Sequence, residues 1–148
     1  MRQHRFTAVA IATLLLLLTG RARAQQLPAG SAGPYALASV EGHTLPYAPG
    51  EPGRPPEAGT LEILCSTLIV TPDGHFRMAM TYRLTRGGQT RIFDSPFTGT
   101  VEKDRTGYVM EWDEAGLTPV KLEGDSLSLQ NEGQWYTYRR SGRPRPGN

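Results

Sequence analysis

Between residues 75 and 85 apolar and polar side chains alternate without a break. Phe76, Met78, Met80, Tyr82 and Leu84 fall on one parity, and Arg77, Ala79, Thr81, Arg83 and Thr85 on the other. A period of two over this length predicts a strand with one buried and one wet face. Less regular versions of the pattern predict strands over 35–40, 61–70, 90–93, 97–103, 108–112, 117–123, 126–130 and 134–140. Turn residues separate them: Thr71-Pro72-Asp73-Gly74, Arg86-Gly87-Gly88-Gln89, Asp104 to Gly107, Asp113-Glu114-Ala115-Gly116 and Gly124-Asp125. Ser95-Pro96 interrupts the fourth region. About eight short strands joined by hairpin-length turns predict an all-β fold, an antiparallel up-and-down meander. A meander of this length curls and closes into a small barrel, because closure removes its exposed edges.

Two stretches of the chain lack strand periodicity and set its organisation. Residues 48–59 carry Pro49, Gly50, Pro52, Gly53, Pro55 and Pro56, which exclude a helix interior or a central strand and predict a surface loop. At the start, Arg2 and Arg5 precede an apolar run from Phe6 to Leu18, and Ala22-Arg23-Ala24 follows. That order predicts a secretory signal peptide over 1–24, its apolar run shorter than the roughly 20 residues of a membrane-spanning helix. The expected domains are the signal peptide, a flexible lead-in over 25–33, the barrel over 34–140 and a basic flexible tail over 141–148. The product is expected to be exported to the periplasm or the medium. With Gln25 rather than cysteine after Ala24, it is expected to be soluble and not lipid-anchored.

The leader changes the charge balance. Arg2, Arg5, Arg21 and Arg23 leave with it, taking the formal net charge from +2 to −2. Much of the remaining positive charge sits in Arg139, Arg140, Arg143 and Arg145, so the body is acidic and offers no basic stripe for nucleic acid. Cys65 is the only cysteine, which rules out an intramolecular disulfide. Its apolar setting, Ile63-Leu64-Cys65-Ser66-Thr67-Leu68, predicts a buried thiol acting as a small hydrophobe.

Catalytic chemistry finds little support. After the leader there are two histidines, His43 and His75, both at turn-like positions, and no Gly-x-Ser-x-Gly, His-Glu-x-x-His or Cys-x-x-Cys occurs. Glu111, Asp113 and Glu114 flank Trp112, but alternation and turn placement predict that they are solvated. No catalytic residue, metal site or cofactor is expected. An outer-membrane barrel is disfavoured because Arg77 and Arg83 would face lipid.

Several local patterns, taken in order, carry a family resemblance. They are Gly33-Pro34-Tyr35, the hairpin from Ser66 to Phe76, Met80-Thr81-Tyr82-Arg83, Phe97-Thr98-Gly99-Thr100-Val101, Gly124 to Leu129 and Tyr136-Thr137-Tyr138-Arg139-Arg140. With them the chain resembles the small lipocalin-like β-barrels of the bacterial envelope, within the calycin group. Tyr35 stands where lipocalins open with Gly-x-Trp. The resemblance implies an up-and-down barrel and, in some members, an apolar ligand inside.

One residue set suits such a ligand: Phe76, Met78, Met80, Tyr82, Met110 and Trp112, with Trp135, Tyr136 and Tyr138 in the closing strand. Methionines fit irregular apolar shapes, and tyrosine and tryptophan each add a polar handle. The same residues equally describe a filled barrel core. The expected functions are therefore a secreted, non-enzymatic barrel that binds a small apolar molecule through those first six residues, or an envelope interaction or structural protein with a packed core. The expected partners are that molecule or an envelope protein, with no nucleic acid and no membrane span.

Overall fold

A computed structural model of the protein describes residues 27–50, 59–114 and 116–142. The leader, most of the proline-rich loop and most of the basic tail lie outside the described residues. Eight strands follow one another: β1 (Gly33–Val40), β2 (Thr60–Val70), β3 (His75–Arg86), β4 (Gln89–Lys103), β5 (Tyr108–Trp112), β6 (Gly116–Glu123), β7 (Ser126–Asn131) and β8 (Gln134–Arg140). Each pairs antiparallel with the next, and β1 pairs antiparallel with β8 to close the barrel. Among the described residues there is no helix.

The inner face follows the alternation. In β3, Phe76, Met78 and Met80 are buried while Arg77 and Ala79 are exposed. Across the barrel they meet Tyr35, Leu37, Val40, Ile63, Leu68, Val70, Val101, Met110, Val120, Leu127, Leu129, Tyr136 and Tyr138 in one apolar cluster. Phe76, Gly99 and Trp112 pair in one row across β3, β4 and β5. A Cβ on Gly99 would stand 1.9 Å from the Glu111 carbonyl oxygen and 2.8 Å from the Phe76 ring. Glycine there lets the Phe76 and Trp112 rings meet edge to face, their centroids 5.1 Å apart.

Two findings depart from simple periodicity. The pairing register of β2 shifts between Ile63 and Cys65, and that of β1 between Leu37 and Ser39. An extra residue in a strand inverts which parity faces inward. Ile63 is buried, then Ser66, Leu68 and Val70, so Cys65 is exposed rather than buried as its apolar setting predicts. The second departure is at Ser95-Pro96, which does not break the fourth region. β4 runs through it, with Pro96 opposite Ala79 of β3. Pairing with β5 begins at Gly99, so the N–H that proline lacks would have had no strand partner on the β5 side.

The barrel has two unlike ends. At the terminal end Leu27 packs against the core, and Ser31 is buried and accepts a 2.7 Å hydrogen bond from the Tyr35 hydroxyl through its carbonyl. The opposite end holds the β1–β2, β3–β4, β5–β6 and β7–β8 connections, and it opens inward.

Candidate functional site

At the loop end the core gives way to a cavity of about 80 Å3, lined from β3 (Met78, Met80, Tyr82), β4 (Phe97), β5 (Trp112), β7 (Leu129, Asn131) and β8 (Tyr136, Tyr138). Alternation along each strand aims these side chains inward, and closure brings β7 and β8 opposite β3. Burial grades from the inside out. Tyr138 and Leu129 are inaccessible, Tyr82, Phe97 and Trp112 are partly buried, and Asn131 is exposed at the rim.

Polar atoms inside are satisfied. Ser66 Oγ lies 3.0 Å from the Tyr138 hydroxyl, which donates to Met78 Sδ at 3.5 Å. Trp112 Nε1 donates to Thr118 Oγ1 at 2.7 Å, which fixes the indole between the rings of Phe76 and Phe97. Among the described residues no buried side-chain nitrogen or oxygen lacks a partner. At the rim Tyr136 donates to Gln134 Oε1 at 3.5 Å, and Gln134 Nε2 donates to the Tyr47 hydroxyl at 3.4 Å. The Tyr82 ring stacks on that of its cross-strand partner Phe93 with centroids 5.5 Å apart, which carries the aromatic face along β3 and β4 toward their turn.

The phenols are held neutral. Burial, followed by Tyr82, Glu132, Tyr47 and Glu41, pushes the Tyr136 hydroxyl up to about 12. Burial and then Glu132 raise Tyr82, and burial raises Tyr138 strongly against the lowering effect of its Ser66 hydrogen bond. The cavity thus offers apolar walls, neutral hydroxyls and one amide. It suits non-covalent binding rather than proton transfer at neutral pH.

Of the six residues expected from sequence to line a ligand site, Met78, Met80, Tyr82 and Trp112 line the cavity. Phe76 and Met110 are buried in the core and do not line it. Tyr136 and Tyr138 belong to the same aromatic set and also line it, whereas Trp135 lies on the other face of β8, under Lys121 Nζ at 4.4 Å from the ring centroid. Phe97, Leu129 and Asn131 were not anticipated. The inward parity of Leu127 and Leu129 in β7 carried the available signal.

The histidines and flanking acids stand apart. His75 is exposed, 3.8 Å from Asp73, and His43 is exposed and stacked on Tyr47. Glu111, Asp113 and Glu114 are exposed. Among the described residues no cluster of histidine, cysteine and carboxylate has the arrangement of a metal site.

No protein-family model matches the chain, and no curated protein matches it. Among solved structures it is similar to a lipoprotein, YedD, from Klebsiella pneumoniae subsp. pneumoniae MGH 78578. The identity is 18%, the match covers 82% of this chain and 80% of that one, and the TM-score is 0.42.

Proposed function

We propose that the protein is an exported, lipocalin-like, non-enzymatic barrel that takes a small apolar molecule into the cavity at its loop end. The observation that carries this reading is the cavity itself, where Met78, Met80, Phe97, Trp112 and Leu129 surround a space whose rim bears hydroxyls and an amide. At about 80 Å3 it is smaller than the ~150 Å3 engineered apolar cavity that admits benzene, so its occupant is slender, the end of an unbranched chain. Methionine turns about three side-chain bonds, which makes Met78 and Met80 the walls that yield to a longer chain. Export rests on the leader over 1–24, and the lipocalin-like assignment on the meander that opens with Gly33-Pro34-Tyr35.

Titration with 1-octanol, followed through the methionine methyl groups by 13C NMR, tests this. Met78 and Met80 are expected to shift, while Met110, buried outside the cavity, stays in place. Leu129→Trp fills the space and is expected to abolish both shifts while the circular dichroism stays that of a barrel. If neutral, cationic and anionic chains all leave Met78 and Met80 unmoved, the reading is wrong. The second reading, an envelope interaction or structural protein with a packed core, is favoured by the part of β4 before Gly99, which pairs with β3 alone.

A further inference from the structure

The rim of the cavity is acidic. Glu132 follows the lining residue Asn131 in the β7–β8 turn. Glu41 reaches over from the end of β1 and accepts a hydrogen bond from the backbone N–H of Trp135, next to the lining residue Tyr136. Among the described residues neither carboxylate has a cation within 4.0 Å.

Three of the cations nearest the rim are engaged elsewhere, and Arg86, exposed at the end of β3, stands four residues beyond the lining residue Tyr82. Lys121 covers the Trp135 ring, Arg91 lies 5.9 Å from the Phe93 ring centroid, and Arg83 is bound to Glu62. Tyr136 has its proton directed at Gln134, so it presents lone pairs to a ligand. Burial and then Glu132 oppose ionisation of Tyr82, and after burial and Tyr82, Glu132 and Glu41 are among the groups that oppose it at Tyr136. A carboxylate placed beside these phenols would meet the same repulsion, and an ammonium would meet attraction.

On the reading of the cavity as a chain-binding site, we propose that its rim selects a cationic head. The ligand is an amphiphile with a slender alkyl chain and a protonated amine. Its chain end lies among Met78, Met80 and Leu129, and its ammonium lies beside Glu132, Glu41 and the Tyr136 oxygen.

The test compares octylamine, 1-octanol and octanoate on the purified protein at pH near neutral and low salt, each read through the Met78 and Met80 methyl signals. Octylammonium is expected to bind about fivefold tighter than octanol, the scale of partly solvated ion pairs, with octanoate weakest. Glu132→Gln is expected to remove most of that advantage, and added salt to compress it. Octanoate binding as tightly as octylammonium, or a Glu132→Gln protein that keeps the full preference, overturns the head-group selection and leaves the chain site standing. If none of the three binds, the chain site falls and the selection with it.

Discussion

Arg140, the last residue of β8, lies across the ring of Tyr35 near the start of β1, its guanidinium carbon 4.9 Å from the ring centroid. It also donates to the Tyr35 hydroxyl at 2.8 Å, to the Ala32 carbonyl at 2.6 Å and to the Gly30 carbonyl, and it pairs with Asp125 at 3.4 Å. Gly33 makes the passage possible, since its φ is 139° and a Cβ there would stand 2.4 Å from the guanidinium. This one side chain therefore ties the first strand, the last strand and the segment before them into a closed terminal end, so the cavity belongs to the other end.

Removing that tie is expected to be costly. Arg140→Ala strips donors from several carbonyl and hydroxyl oxygens at once, and urea unfolding is expected to show a loss of about 2–3 kcal/mol. Arg140→Lys is expected to recover less than half, because a single ammonium cannot fork to those oxygens and stack on the ring together. Amide exchange over residues 31–35 is expected to quicken in both variants, and unchanged exchange would mean that the tie is ornamental.

Gly99 supports a second prediction. With the Glu111 carbonyl oxygen 1.9 Å from an added Cβ, Gly99→Ala must push β4 and β5 apart or displace Phe76. A loss of about 3 kcal/mol is expected, at the upper end for overpacking. The control is Gly50→Ala, where an added Cβ meets nothing within 4 Å, and it is expected to stay within ~0.5 kcal/mol of the parent protein. Equal stabilities for the two variants would contradict the close approach.

What could be read from sequence, and what could not, divides along the same physical line. The alternation in β3 and the turn residues around it are local, and they gave the meander and most of its inward parity. The extra residues in β1 and β2 are not marked locally, because Ile63, Leu64 and Cys65 are all apolar and any of them can face inward. Parity was therefore lost at Cys65, and the partnership of Ser66 with Tyr138 was invisible. Pro96 looked like a break because sequence does not show that β4 pairs with β5 only from Gly99 onward. The cavity divides likewise. Met78, Met80, Tyr82 and Trp112 stood out by type, whereas Phe97 joins them by pairing with Met78 once β4 runs through Pro96, and Leu129 and Asn131 only through closure of β8 on β1.

The shifted register of β2 makes a chemical prediction for Cys65. Its exposed thiol is expected to react with a water-soluble disulfide reagent in the native protein at a rate within roughly tenfold of the unfolded chain. Cys65→Ser is expected to leave the unfolding midpoint unchanged, since no packing is lost at an exposed position. Protection of the thiol until global unfolding would place it back in the core and refute the inverted parity.

The buried phenols predict the alkaline limit of the fold. Tyr136 is raised from 10.0 to about 12, so in the unfolded chain it ionises at a pH where the folded protein keeps it neutral. A group raised in this way contributes stability that is fully present below about pH 10 and is lost as pH climbs to about 12. Tyr82 and Tyr138 are raised in the same direction and add to the loss over that range. Urea midpoints measured from pH 8 upward are therefore expected to hold until the unfolded phenols begin to titrate and then to fall, with tyrosinate absorbance rising together with unfolding. Tyr136→Phe removes one of the titrating groups without emptying its place in the rim, and it is expected to flatten part of the decline. A Tyr136 hydroxyl that ionises near 10 in the folded protein, followed by its ring carbon shift, would show that the loop end is wetter than its packing implies.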